Sequence, residues 1–249
     1  MVVHGGAGGT SRHNDGCRLA ADAAMEVLAA RGTAMAAAVA AVAVLEDDGR
    51  FNAGSGSVLC LDGRTVEMDA AVMDSLGVLG AVACVREVKN PVHVAREVAN
   101  TPHWLLAGEG AERFARVCGL ARRGQPSGTA RRKHRELMTK LRAGAAEVNP
   151  AAFQRHWNYA VPWEDAVRKW GAGTVGAVVQ DLAGHFAVAT STGGSAPSLL
   201  GRVGDTPIIG CGFYAGAEGA VAVTGVGEYI VPEMVARSVY DGIRAGEPL

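Results

Sequence analysis

Two hydroxyl-bearing stretches of this 249-residue chain stand where a hairpin would bring them together. Gly173-Thr174 opens the apolar run Val175 to Val179, and Thr190-Ser191-Thr192-Gly193-Gly194 closes the run that starts at Phe186. Between them, Asp181 to Gly184 is turn chemistry, so the two runs read as paired strands. In an antiparallel pair the start of the first strand lies beside the end of the second. Thr174 is therefore expected close to Thr192. A catalytic role is one reading of hydroxyls placed this way. Equally, threonine at a strand start is ordinary, and Thr-Ser-Thr-Gly-Gly could be a plain turn. The long irregular stretch before Gly173 could leave the Gly173–Thr174 bond exposed.

Other residues offer chemistry of their own. Arg202 and Asp205 are opposite charges on a loop flanked by Gly201, Gly204 and Pro207. As a surface ion pair they would contribute little; held rigidly, they could grip a zwitterion. Glu67 and Asp69 alternate with Met68 and Ala70 and share a strand face, either solvated or hydrogen-bonded inside a layer of small residues. His4-Gly5-Gly6-Ala7-Gly8-Gly9 lacks the Lys and Ser/Thr of a phosphate loop and the spacing of a dinucleotide fingerprint, which favours a tight corner with buried backbone.

Composition narrows the classes. A formal net charge of -1 gives no general pull towards nucleic acid or anionic lipid. The basic run from Arg122 to Arg142 has no interleaved aromatics, so it reads as a solvated connector rather than a nucleic-acid groove. The five cysteines are scattered and form no CxxC pair, against a disulfide framework or a thiolate zinc site. With no signal-peptide pattern at the start and no apolar run long enough to span a bilayer, the expectation is a cytoplasmic protein without membrane or nucleic-acid partners.

The elements that must position these residues follow from periodicity. Helices are expected over Gly16 to Arg31, over Ala34 to Glu46 with Thr33 as cap, over Pro91 to Ala99, over Gly110 to Arg116 and over Tyr229 to Ala245. The second is apolar nearly all round and should be buried between layers. Strands are expected at Met1 to Val3, in a hairpin of Val58 to Leu61 with Thr65 to Met73, and at Leu79 to Val85, His103 to Leu106, Ile208 to Phe213 and Ala220 to Val223. Residues 120–170 form a partly helical connector. Strands in hairpin-spaced pairs with apolar helices elsewhere predict two face-to-face sheets covered by helices.

Eight stretches taken together carry a resemblance. They are His4-Gly5-Gly6-Ala7-Gly8, Phe51-Asn52-Ala53-Gly54-Ser55-Gly56, Glu67-Met68-Asp69-Ala70, Lys89-Asn90-Pro91, Gly173-Thr174-Val175-Gly176-Ala177, Thr190 to Gly194, Gly201-Arg202-Val203-Gly204-Asp205, and Thr224-Gly225-Val226-Gly227-Glu228. In this order the chain resembles the plant-type L-asparaginase and isoaspartyl peptidase family of N-terminal nucleophile hydrolases. The resemblance implies an α+β, four-layer αββα sandwich of two largely antiparallel sheets. It implies self-cleavage between Gly173 and Thr174, giving an α piece of residues 1–173 and a β piece of residues 174–249 that stay packed, with residues 120–173 as a flexible linker. It further implies an (αβ)2 assembly acting on L-asparagine and β-aspartyl dipeptides.

The same resemblance implies roles. Thr174 is the nucleophile and, as a new chain start, its α-amine is the base; that amine's reference pKa of about 7.7–8.0 leaves a share unprotonated at neutral pH. Thr192 hydrogen-bonds the Thr174 hydroxyl, and Thr224 with Gly225 forms an oxyanion hole. Arg202 and Asp205 hold the substrate α-carboxylate and α-ammonium, with Gly194, Gly227 and Asn52 positioning ligand and nucleophile. No cofactor is implied for catalysis. A structural sodium ion is implied on backbone carbonyls of Leu45, Glu46, Asp48, Phe51, Ala53 and Ser55. Family members run on beyond the helix at Tyr229 to Ala245 with further strands, whereas this chain stops at Pro248-Leu249, so the sheets are expected to be incomplete at the C-terminus. Ser198 replaces a lysine frequent in the family.

Three other readings stand beside this one. Glycosylasparaginase shares the fold, but its usual motif has Asn where this chain has Gly193 and Asp where it has Glu228. An unprocessed precursor would carry the site without turnover. A non-enzymatic glycine-rich binding module would stay uncut and bind in a steeply salt-dependent way.

Overall fold

A computed structural model describes residues 1–9, 11–60, 62–121, 126–144, 173–196 and 198–247. In chain order these form β1 (Val2–His4), α1 (Asn14–Ala29), α2 (Ala34–Asp48), β2 (Met68–Asp74), β3 (Leu79–Val85), α3 (Pro91–Val98), β4 (Leu105–Ala107), α4 (Gly108–Val117), α5 (Gly128–Gly144), β5 (Val175–Gln180), β6 (Phe186–Thr192), β7 (Phe213–Gly216), β8 (Gly219–Ala222), α6 (Gly227–Glu233) and α7 (Val235–Ala245).

Local chemistry accounts for the best-defined elements. The Thr33 hydroxyl accepts from Ala36 N at 3.2 Å and starts α2, and Gly49, at φ 72°, ends it. Ala37, Ala38, Ala41, Val42 and Leu45 are fully buried, as expected of a helix that is apolar nearly all round and lies between layers. Pro91 occupies the first turn of α3, where its missing N–H costs nothing.

The main sheet has the order β1-β5-β6-β2-β3-β4, antiparallel except for the β3–β4 pair. Its registers bring the candidate residues to one end. Val175 pairs with Ser191, so Thr174 reaches Thr192, and Asp69 pairs with Thr192 across the other ladder. The second sheet, β7–β8, is two-stranded and antiparallel among the described residues. Three apolar clusters separate four layers. One lies between α1, α2, α3 and the main sheet, around Leu45, Phe51, Val72 and Val82. The second joins the two sheets through Ala71, Ala81, Val188, Phe213 and Ala215. The third seats Ala236 and Tyr240 of α7 on Val221. Helix, sheet, sheet, helix is the layered α+β arrangement expected, and alanine and glycine at these faces let the layers approach closely.

Several expected elements differ. Val58 to Leu61 forms no ladder among the described residues; a turn instead closes through Gly63 N to the Cys60 carbonyl, 2.9 Å, and Cys60 N to the Thr65 carbonyl, 2.8 Å. Ile208 to Phe213 is a chain of turns, with Cys211 N and Gly212 N both bonded to the Ile208 carbonyl at 3.1 Å, and β7 begins only at Phe213. The helix expected over Tyr229 to Ala245 breaks at Met234, whose φ of 45° follows Pro232 and separates α6 from α7. α5 supplies the helical part of the connector, and residues 145–172 lie outside the described residues. No described helix is long and apolar enough to cross a membrane.

Candidate active site

The Gly173–Thr174 peptide sits at the convergence of β1, β5 and β6 and is wrapped by hydroxyls. Thr174 is 3% exposed, immediately before β5. Its hydroxyl lies 2.9 Å from the Thr206 hydroxyl. Its N–H donates to the Thr224 hydroxyl at 3.1 Å, which also accepts Ala7 N–H at 3.0 Å. The Thr192 hydroxyl donates to the Gly173 carbonyl at 3.3 Å and accepts Gly194 N–H at 3.1 Å. The hairpin thus brings Thr192 to the Gly173–Thr174 bond as its register requires. The polar contact made, however, is to the Gly173 carbonyl, and the partner of the Thr174 hydroxyl is Thr206 instead of Thr192. A strand pair fixes which residues are opposite, but the rotamer decides which oxygen each hydroxyl meets.

Two further residues escape the sequence reading. Thr206 lies 32 positions from Thr174, and only its place after Arg202 and Asp205 hints at the site. Ala7 contributes through its backbone, for which side-chain chemistry gives no signal. The glycine loop is the tight corner expected. Gly9 N bonds the Gly6 carbonyl at 3.0 Å, and Gly6 has φ 101°. A Cβ at Gly6 would come within 2.9 Å of the Gly173 Cα and 3.2 Å of its carbonyl carbon. His4, on β1, is held near a pKa of about 4 by burial, against a smaller opposing pull from the Thr174 backbone.

Asn52 ties the loop after α2 to the hairpin. Its amide donates to the Gly194 carbonyl at 2.6 Å, its side-chain oxygen accepts Val58 N–H at 3.0 Å, and its own carbonyl accepts Gly193 N–H at 2.9 Å. The loop carrying Arg202 and Asp205 is pinned from beneath by the two acids of the β2 end. Glu67 accepts Gly201 N–H at 2.6 Å as well as the Arg86 guanidinium. Asp69 accepts Cys84 N–H at 2.9 Å, at a register shift in the β2–β3 ladder. Both acids are therefore structural ties inside the small-residue layer. Burial pushes the Asp69 carboxyl up to about 7.

Above these ties, Arg202 forks onto Glu228, with Nε and a terminal nitrogen at 3.0 and 2.8 Å from one carboxylate oxygen. Asp205 is 4% exposed, its Oδ2 has no partner among the described residues, and burial pushes its carboxyl up to about 6. A Cβ at Gly227 would lie 2.9 Å from both the Arg202 guanidinium and the Asp205 carboxylate, so this glycine packs against the pair. Gly225 follows Thr224 after β8, close to Ile230 of α6. A guanidinium and a buried carboxylate with one unpartnered oxygen thus lie together against Gly227.

The family of asparaginases has a sequence model that matches residues 1–249 of this chain. The chain belongs to the asparaginase family. Plant-type L-asparaginases of Pyrococcus abyssi (strain GE5 / Orsay) and Pyrococcus furiosus are each 42% identical to it over 255 residues, covering 99% of the chain and 80% of the relative. The isoaspartyl peptidase/L-asparaginase of Macaca fascicularis is 39% identical over 257 residues, covering 99% of the chain and 77% of the relative.

Two features of this asparaginase-family chain flank the hydroxyl cluster. A cavity of about 270 Å³ opens beside Gly173 and is bounded by Gly5, Phe51, Asn52 and by Lys133 and His134 of α5. The other is the loop after α2. Among the described residues no group of three or more His, Cys, Asp and Glu side chains could hold a metal ion, so a cation there would rest on backbone oxygen. The last carbonyls of α2, including Leu45, Glu46 and Asp48, lack intrahelical donors and carry the negative end of the helix dipole. Gly54 and Gly56 admit the carbonyls of Glu46 and Phe51, which would lie 2.5 and 2.0 Å from a Cβ at those positions. Such an oxygen-only set fits a hard cation.

Proposed function

We propose that this chain is an autoprocessing amidohydrolase that acts on the side-chain amide of L-asparagine and on β-aspartyl dipeptides, releasing L-aspartate. The observation that carries the reading is the Gly173–Thr174 peptide itself. Its carbonyl receives the Thr192 hydroxyl, its N–H is bound by Thr224, and its nucleophile candidate lies within hydrogen-bond reach of a further hydroxyl. In the continuous chain, Thr174 Oγ attacks the Gly173 carbonyl carbon. Thr192 steadies the oxygen as it becomes negative, the C–N bond breaks, and the Thr174 nitrogen takes up the proton given up by the hydroxyl and leaves as an amine. Water then hydrolyses the resulting ester, leaving Gly173 as a carboxylate and Thr174 with free hydroxyl and amine. Residues 1–173 and 174–249 become two pieces of one fold, and we assign the assembled enzyme an (αβ)2 state.

In turnover the Thr174 amine takes the hydroxyl proton, and the hydroxyl attacks the substrate's side-chain carbonyl. Thr224, relieved of the peptide N–H, turns its hydroxyl with Gly225 N–H towards the oxyanion; one such donor is typically worth about 3–4 kcal/mol. Ammonia or the C-terminal amino acid leaves, and water releases aspartate. The substrate α-carboxylate meets the edge of Arg202 not taken by Glu228, and its α-ammonium supplies the partner that Asp205 Oδ2 lacks. Asn52, Gly194 and Gly227 shape the remaining wall. The names of the relatives support the substrate pair, and Gly193 and Glu228 favour it over a glycosylasparaginase. A sodium ion on the carbonyls of Leu45, Glu46, Asp48, Phe51, Ala53 and Ser55 would brace the loop that carries Asn52, with no part in the chemistry. Catalysis itself needs only the chain's own groups in this scheme.

Purified protein run on a denaturing gel should give two fragments, the smaller beginning Thr-Val-Gly-Ala. Thr174→Ala should remain one chain and release no ammonia from asparagine. An uncut wild type, or a Thr174→Ala variant with full activity, would remove the basis for the assignment.

A further inference from the structure

We infer that Thr206 is a positioning residue for the nucleophile, holding the Thr174 hydroxyl in line both for self-cleavage and for turnover. The inference rests on the proposed role of Thr174. Thr206 is 1% exposed and Thr174 3%, and the two hydroxyl oxygens are 2.9 Å apart in a site closed to bulk water. A hydroxyl has one proton and two lone pairs. Thr206 can therefore fix its neighbour whether it donates or accepts, and it can change from one to the other as Thr174 gives up its proton. Neither hydroxyl has a charged hydrogen-bond partner among the described contacts, so the pair depends on geometry and not on a strong charge.

The position of Thr206 in the chain gives it a second property. It directly follows Asp205, and both are buried. The segment cannot slide easily: the Thr206 carbonyl accepts the Thr190 hydroxyl at 3.4 Å, Ile208 N bonds the Asp205 carbonyl at 2.9 Å, and a Cβ at Gly212 would lie 2.4 Å from that same carbonyl. Consecutive residues of one locked segment thus face the substrate cluster and the nucleophile. Thr206 sets the distance between where an α-ammonium binds and where the attacking oxygen stands.

The test compares T206V, which keeps shape but removes the hydroxyl, with T206S, which keeps the hydroxyl. The first-order rate of fragment formation is followed on gels, and matured protein is assayed for kcat and KM on asparagine. T206V should slow fragment formation and lower kcat by about tenfold each, the equivalent of about 1.4 kcal/mol, with KM within about twofold and T206S close to wild type. A purely structural role would raise KM through the displaced Asp205 and would not spare T206S and T206V differently at equal melting temperature. T206V within about twofold of wild type in both rates would overturn the inference, as would an effect confined to KM. Should T206V fail to fold, T206C offers a similar volume with a weak donor and the same expected loss. A wild type that neither cuts itself nor releases ammonia would instead sink the parent assignment, which separates the two failures.

Discussion

Gly6→Ala tests whether the glycine loop sets the reactive peptide in place. Gly6 has φ 101°, a conformation that costs an L-residue about 1–2 kcal/mol. Its added Cβ would also press on the peptide proposed for cleavage, 2.9 Å from Gly173 Cα and 3.2 Å from the Thr174 carbonyl oxygen. Backbone on both sides leaves no flexible side chain to yield, so the Gly173–Thr174 peptide must shift by some tenths of an ångström. Misplacement of about 1 Å at a reacting centre can cost about a hundredfold in rate, so a smaller shift should slow fragment formation by about tenfold or more. Gly184→Ala provides the control. Its φ of 87° carries similar backbone strain, but its Cβ would meet nothing within 4 Å. Both variants should lose about 1–2 kcal/mol in denaturant unfolding, and only Gly6→Ala should lose the rate of cleavage on gels. Equal cleavage by the two variants would refute the argument that Gly6 acts through contact with the Gly173–Thr174 peptide.

Other expectations follow from the same geometry. Burial raises the Asp205 carboxyl to about 6, above its unfolded value near 3.8, so the native state binds more protons in that window and stability falls as pH rises through it. Asp205→Asn should therefore raise the melting temperature at pH 7, by up to about 3 kcal/mol of stability, while abolishing tight use of asparagine; an unchanged melting curve at both pH 5 and pH 7 would contradict this. Asn52→Ala removes two side-chain hydrogen bonds, at 2.6 and 3.0 Å, and leaves Val58 N–H to find a new partner. A loss of about 1–3 kcal/mol in urea unfolding is expected, together with slower cleavage because the Gly194 corner is released. Sodium chloride should raise the melting temperature above that in choline chloride at equal ionic strength if the loop after α2 holds the ion.

The framework was legible where local pattern and tertiary environment agree. α2 reads as buried because it is apolar on nearly every face as far as Leu45, and Thr33 marks its start. β3 spans Leu79–Val85 as its apolar run predicts. Ile208 to Phe213 misleads because its hydrophobic residues fill the space between sheets while Gly210, at φ 81°, and Gly212 bend the chain through turns. The break in the last helix follows from Pro232, whose effect depends on where the following chain must go. For the site, the hairpin arithmetic places Thr192 at the Gly173–Thr174 bond, since register is a property of pairing. The partner of each hydroxyl was not legible: Thr206 arrives from a loop whose path is set by Glu67 on Gly201 and by the packing of Gly212, both long-range contacts. Likewise, Glu67 and Asp69 read as ambiguous acids until the loop above them is in place.

The strand order gives the proposed cut a mechanical meaning. The β5–β6 hairpin, which would belong to the downstream fragment, is inserted between β1 and β2 of the upstream fragment. Three residues of β1 grip it on one side and six of β2 on the other. Scission at Gly173 would thus create two polypeptides threaded through a common sheet, and neither could diffuse away without tearing ladders on both flanks. Dilution should leave them associated, and only denaturant should part them.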